Sequence, residues 1–181
     1  FTANLPGVAV KDLKLTGDQD QDLAANWTPE QKLAYIKVLP EPEQLAIVQG
    51  VLFQEIKLSA GAAAAAPEAQ RKVEYQRGFD AIKTLFPGEQ YAGDIALVFS
   101  QIKTLAGGEI NIDTPGGKVD VGLAGKVGGI RKQADELGIV AQQQGNVNTY
   151  ALGNFNVNQS RVFTMGGGDI TIWSSKGDID A

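Results

Sequence analysis

Glycines in the second half of this chain recur at a fixed offset of sixty residues, and that register restricts the fold more than any other feature. Gly93, Gly108 and Gly117 are matched without a gap by Gly153, Gly168 and Gly177. The residues between them keep step. Ser100 corresponds to Ser160, Ile102 to Val162, Thr104 to Thr164, Ile110 and Ile112 to Ile170 and Ile172, and Asp120 to Asp180. Each glycine opens a short run of alternating character, as in Gly168-Asp-Ile-Thr-Ile and Gly177-Asp-Ile-Asp. Alternation with a period of two marks a half-buried strand, and a repeat held in register means equivalent units stacked on one another.

Strands are expected at 93–99, 101–105, 109–113, 118–123, 138–142, 146–150, 154–158, 161–165, 169–173 and 178–181. One offset therefore spans two rungs of three strands, the triangular section of a parallel β-helix. Three rungs of two strands would leave a thinner core. The interior would be filled by Ile95 and Phe155, Leu97 and Val157, Ile110 and Ile170, Ile112 and Ile172, and Val119 and Ile179, each stacking on its equivalent. Rungs hydrogen-bond at about 4.8 Å, so no rung is stable alone. Asn146, Asn148, Asn154, Asn156 and Asn158 alternate with the apolar positions. They form either polar ladders or a solvated face, and the usual exposure of asparagine favours the face.

The rest of the chain divides around this pattern. Residues 1–17, with Val8-x-Val10 and Leu13-x-Leu15, are expected to supply first strands of the same β core. Residues 18–90 are expected to form a helical insertion of about three helices. Thr28-Pro29-Glu30-Gln31 is a helix start with Thr28 as N-cap and Gln31 completing a capping box. Pro42-Glu43 opens a second helix whose inner face is Leu45, Val48, Leu52 and Ile56. The stretch 60–66 is low in complexity and reads as a flexible connection or a helical extension. Pro67-Glu68 starts a third helix with a stripe of Ala69, Val73, Phe79, Ile82 and Phe86, stopped by Pro87-Gly88. Residues 91–181 are expected to be the rungs, with a loop at 124–137. The fold class expected is mainly β, a parallel β-helix with three strands per rung and an inserted α-helical segment.

Composition removes several kinds of chemistry. The chain of 181 residues contains no cysteine and no histidine, so thiolate sites, disulfides and the commonest general base are all lacking. A net charge of -5 argues against a nucleic-acid partner, and no stretch approaches the roughly 20 apolar residues of a membrane span. The chain begins at Phe1 without methionine or signal peptide and stops at Ala181 in mid-pattern, so it is expected to be a piece of something longer.

Acidic residues are the catalytic candidates present in quantity. Glu109 and Asp169, and Asp120 and Asp180, occupy equivalent positions, with Asp113 nearby. Asp120 and Asp180 would point outward two rungs apart, about 10 Å, just beyond the roughly 6.5–9.5 Å of an inverting glycosidase. A carboxylate recurring at equivalent positions is better explained as a turn or surface device, because catalytic pairs need unlike environments. Gly166-Gly167-Gly168-Asp169 lacks the Lys-Ser/Thr of a phosphate loop and has aspartate where a calcium-binding nonapeptide needs glycine. It reads as a corner turn. Phe163 and Trp173 each follow an inward residue and should form an outward aromatic pair, serving either as a sugar-stacking ligand surface or as the surface where the helical segment docks. Docking is favoured, because large exposed apolar patches are uncommon. No catalytic residue, metal ligand or cofactor-binding residue is assigned, and no cofactor is expected.

Several segments carry a resemblance. Asn158-Gln-Ser-Arg-Val-Phe-Thr-Met-Gly-Gly-Gly-Asp-Ile-Thr-Ile-Trp-Ser-Ser-Lys-Gly-Asp-Ile-Asp-Ala181 resembles a conserved region towards the C-terminal part of filamentous-haemagglutinin-like exoproteins. Phe99-Ser-Gln-Ile-Lys-Thr-Leu-Ala-Gly-Gly-Glu-Ile, Gly138-Ile-Val-Ala-Gln and Gly78-Phe-Asp-Ala-Ile-Lys-Thr-Leu-Phe-Pro look like the same region. The resemblance implies a right-handed β-helical filament secreted to the outer surface of a Gram-negative bacterium by two-partner secretion. It also implies a cognate outer-membrane β-barrel transporter as partner, and a non-catalytic adhesive or spacer role at host or bacterial cell surfaces, with glycans among the ligands. A carbohydrate-binding or polysaccharide-cleaving β-helix module is the alternative.

Overall fold

The computed structural model describes residues 28–88, 90–122 and 136–181, together with Gln21, Lys132 and Gln133. The strands expected within 1–17, and most of the loop expected at 124–137, lie outside the described residues. The chain divides into two units, Phe1–Gln54 and Glu55–Ala181.

In the first unit, α1 (Pro29–Ile36) starts as its sequence dictates. Thr28 Oγ1 accepts from the Gln31 amide (3.3 Å) and Gln31 Oε1 accepts from the Thr28 amide (2.8 Å), a complete capping box. The helix α2 (Glu41–Ala65) carries Glu41 and Glu43 in its first turn, where carboxylates suit the positive end of the helix dipole. Val48 and Leu52 are buried, but Leu45 is 42% exposed and does not belong to the inner face expected of it. The low-complexity stretch continues α2 to Ala65, because alanine has the highest helix propensity and no proline intervenes before Pro67.

In the second unit the expected third helix is two: α3 (Glu68–Glu74) and α4 (Gln76–Leu85), separated at Tyr75. The break also splits the expected stripe. Val73 is 71% exposed and Ala69 is exposed, whereas Ile82 and Phe86 are buried. Ser59 of α2 joins the pieces. Its Oγ donates to the Glu74 carbonyl (2.6 Å) and accepts from the Gly78 amide (3.1 Å). Arg77 spans to Glu55 through two hydrogen bonds of 2.5 and 2.8 Å.

Among the described residues ten strands follow: β1 (Ile95–Ala96), β2 (Gln101–Thr104), β3 (Ile110–Thr114), β4 (Val119–Asp120), β5 (Gly138–Ala141), β6 (Val147–Ala151), β7 (Phe155–Asn156), β8 (Val162–Thr164), β9 (Ile170–Ser174) and β10 (Ile179–Asp180). They form three sheets, β1-β4-β7-β10, β2-β5-β8 and β3-β6-β9, and every pairing is parallel. The chain visits the three sheets in strict rotation. Ile95 pairs with Val119, Val119 with Phe155, and Phe155 with Ile179. These steps are unequal, because the middle one contains the residues between β4 and β5. One short and one long step make up the sixty-residue offset, so residues matched by that offset are two pairings apart. Val147 stands between Ile110 and Ile170, and Thr149 between Ile112 and Ile172.

The core cluster comprises Leu97, Ile110, Ile112, Val119, Val121, Ile139, Ala141, Val147, Ala151 and Phe155, with Ile95, Val157 and Ile172 packed against it. Ile170 and Ile179, expected inside, are 44% and 52% exposed because they sit at the margin of their sheets. The described chain is mixed α/β rather than mainly β. Its longest helix has 25 residues and no strand exceeds five.

Candidate functional site

The glycine columns explain the register physically. A Cβ on Gly117 would lie 2.0 Å from the Gly93 carbonyl oxygen, one on Gly145 2.0 Å from that of Gly108, and one on Gly168 2.0 Å from that of Gly145. At these corners the backbones of successive strands approach too closely for any side chain. The triple glycine is the corner between β8 and β9. Gly166 and Gly168 are hemmed by the backbone carbonyls of Gln143 and Gly145, while Gly167 has a positive φ of 78°.

Polar residues beside these corners bond from strand to strand. Asp94 Oδ1 accepts from the Lys118 amide (2.9 Å), Asn146 Oδ1 from the Asp169 amide (2.9 Å) and Asn154 Oδ1 from the Asp178 amide (3.2 Å). Side-chain ladders run in the same direction. Asn148 donates to Asn111 (2.9 Å), Asn156 to Asp120 (2.7 Å) and Asn146 to Glu109 (2.6 Å). The solvated asparagine face expected from base rates is therefore replaced by ladders. In-register parallel strands place like positions one strand spacing apart, close enough for amide-to-amide bonds.

The recurrent carboxylates belong to the same bonding. Asp120 receives Asn156 on one oxygen and the Lys118 ammonium on the other (2.8 Å). Those bonds, Lys118 first and then Asn156, hold its carboxyl below the usual carboxylate range. Asn156 stands between Asp120 and Asp180 in the sheet, which are thus two pairings apart as expected. Asp169 is paired with Lys57 of α2. No group of three acidic side chains gathers in a metal-binding arrangement among the described residues.

Phe163 and Trp173 are not neighbours on one face. Phe163 belongs to β8 and Trp173 to β9, which lie in different sheets. Phe163 is half-buried and, with Val157, Val162, Ile170 and Ile172, lines a groove of about 430 Å³ at the margin of the sheets. Trp173 is only 6% exposed. Its ring meets Tyr75 edge-on at 5.5 Å and Phe79 at 5.2 Å, and its Nε1 donates to Ser175 Oγ (3.1 Å). Tyr150, its partner in β6, stacks on Phe86 at 5.6 Å, and burial raises the Tyr150 phenol pKa above its ordinary value. The outer face of β3-β6-β9 is thus where Tyr75, α4 and Phe86 dock, through an aromatic seam.

Gly78 makes the seam close. A Cβ there would lie 2.7 Å from Trp173 Cη2 and 3.2 Å from Ser59 Oγ. Sequence reasoning placed Trp173 but missed Tyr150 and Gly78. A glycine inside a helical pattern was the available signal for Gly78.

No helix among the described residues is long and apolar enough to cross a membrane. Comparisons with protein-family models, with curated proteins and with solved structures give no match for this chain.

Proposed function

We propose that the three sheets are the faces of a right-handed parallel β-helix, and that the chain is a non-catalytic structural and adhesive segment of a large secreted bacterial surface filament of the filamentous-haemagglutinin-like kind. The observation that carries this reading is the strict rotation of the strands through three in-register parallel sheets, with glycine corners stacked on glycine corners. A chain built this way extends by repetition. Each added rung contributes about 4.8 Å of length and buries the apolar face of the last. Filling rungs with β-branched residues and bonding their polar rims to one another favours a stiff spacer over a cleft.

The acidic residues support the same reading. An enzyme cleaving polysaccharide requires one carboxyl of raised pKa beside one that stays ionised. Asp120 is instead held low by Lys118 and Asn156, and Glu109 is bonded by Asn146. The aromatic residue best suited to sugar stacking, Trp173, has its ring taken up by Tyr75 and Phe79. In the secreted filament the partners would be the outer-membrane β-barrel transporter that exports it and the cell surface that it reaches, with glycans as ligands.

The test is to present the purified chain to a broad glycan panel and to whole cells, measuring reducing-end release in the same wells. Retention without release supports an adhesive segment, and neither retention nor release supports a spacer. Release of sugar would overturn the non-catalytic reading.

A further inference from the structure

The face of β3-β6-β9 that the helices cover is not made like a surface for permanent burial. Its outward residues are Asn111 and Asp113 in β3, Asn148 and Tyr150 in β6, and Thr171 and Trp173 in β9. Isoleucine and valine, which fill the inner side of the same strands, are missing from it. The positions of Tyr150 and Trp173 lie one strand spacing apart, about 4.8 Å. Two residues away on the same face runs an amide ladder, Asn148 to Asn111 (2.9 Å). Ser175 fixes both rings, accepting from Trp173 Nε1 and bonding the Tyr150 hydroxyl. Aromatic rings beside a few placed polar groups are the usual lining of a ligand site. A sugar ring, with one apolar face and a rim of hydroxyls, matches that lining.

The cover is lightly seated. α3 buries no residue and α4 buries Gly78, Ile82 and Leu85, while Phe79 is 39% exposed. Polar bonds tie these helices to α2, through Ser59 and through Arg77 with Glu55. Towards the sheet they present rings, with the exposed Lys57–Asp169 ion pair alongside. Pro87-Gly88, with a φ of 80° at Gly88, leads from the cover to β1. Phe86 lies nearly parallel to Tyr150, 23° between planes and 5.6 Å between centroids, in the posture of a stacked ligand ring.

We propose that residues 55–86 are a lid over a glycan site, with Phe86 holding the place of a sugar ring on Tyr150 and with Tyr75 and Phe79 closing off Trp173. The inference rests on the adhesive reading and gives it a site. With the lid raised, a glycan lies across Tyr150 and Trp173, and Asn111, Asn148 and Asp113 take its hydroxyls. Amides and a carboxylate suit a neutral glycan rather than an acidic one.

The test uses the full chain, with cellohexaose, maltohexaose and the hexamer of N-acetylglucosamine as probes in titration calorimetry, beside native-state hydrogen exchange. Gly78→Leu drives a side chain at Trp173, since a Cβ alone would lie 2.7 Å from its Cη2, and Phe86→Ala uncovers Tyr150. In each variant the α4 amides should exchange faster while those of β6 stay protected. Affinity for at least one probe should rise about tenfold or more, because binding no longer competes with closure. Trp173→Ala added to Phe86→Ala should remove that gain while α4 stays fast to exchange. A loosened α4 with no gain in affinity overturns the lid, as does a gain that survives Trp173→Ala. Unchanged α4 exchange in both variants, or loss of β6 protection in both, overturns it too, since the helices are then part of one core. A wild-type chain that binds as tightly as the variants places adhesion elsewhere, so the lid falls and the adhesive reading stands. Release of reducing ends from a probe would instead overturn the non-catalytic reading.

Discussion

Trp173 and Gly78 form a pair whose energetics follow from the geometry. A tryptophan buries roughly 150–250 Å², which at about 25 cal/mol per Å² amounts to about 4–6 kcal/mol. A realistic unfolded chain lowers that by roughly 10–40%. Trp173→Ala should therefore cost about 3–5 kcal/mol, in the range of buried aromatic truncations. Gly78→Ala is a contest between two effects. Alanine in a helix gains about 1 kcal/mol over glycine, but its Cβ would sit 2.7 Å from Trp173 Cη2, an overpacking that costs about 1–3 kcal/mol. Alone, it should be neutral to destabilising by about 2 kcal/mol. In the Trp173→Ala background the clash has gone, and the same substitution should stabilise by up to about 1 kcal/mol, tempered by the closer approach to Ser59. Urea unfolding of the four proteins, followed by circular dichroism, gives the coupling energy directly. Additive changes, or a loss below about 1 kcal/mol for Trp173→Ala, would refute the docking of α4 on Trp173.

The glycine columns make a paired prediction. Gly168→Ala places a Cβ 2.0 Å from a backbone oxygen, whereas at Gly153 the nearest atom is 3.4 Å away. Thermal melts should show Gly168→Ala losing several kcal/mol and Gly153→Ala changing by less than about 1 kcal/mol. Thr149 is fully buried between Ile112 and Ile172 with its hydroxyl lacking a hydrogen-bond partner among the described residues. Thr149→Val should stabilise by about 1 kcal/mol in denaturant titration, since a buried hydroxyl without a partner is costly. Asp120 has a folded-state pKa below its unfolded value. Its contribution is thus complete above the unfolded carboxylate pKa near 3.9 and is lost as pH falls through the folded one. The stability gap between wild type and Asp120→Asn should be widest at neutral pH, narrow below about pH 4, and shrink with added salt, because the Lys118 side chain is about half exposed.

What the sequence made legible was whatever the backbone alone enforces. Gly117 and Gly168 stand at corners where a Cβ would lie 2.0 Å from a backbone oxygen, so an offset count locates them and the strand pairs β1 and β7, β2 and β8, β3 and β9, and β4 and β10, while β5 and β6 are marked only by their own alternation. The capping box at Thr28 and Gln31 is equally local. What was not legible depends on neighbours that a one-dimensional reading does not supply. Asn148 carries no sign of being in a ladder until Asn111 is placed one strand away, and asparagine's usual exposure pointed the other way. The sixty-residue match pairs Ile112 with Ile172 and passes over Thr149, because the chain between β4 and β5 lengthens one rung and hides the shorter step. Phe163 and Trp173 share an outward parity, but parity does not reveal that β8 and β9 turn a corner and face different directions.

Methyl NOE spectroscopy on the isotope-labelled chain tests the stacking most directly. In-register parallel rungs predict cross-peaks from Ile110 to Val147 and from Val147 to Ile170, and likewise from Ile102 to Ile139 and from Ile139 to Val162. No direct Ile110–Ile170 peak should appear, since those residues stand two strand spacings apart, about 10 Å. A strong Ile110–Ile170 peak, or the absence of Ile110–Val147, would contradict the stack.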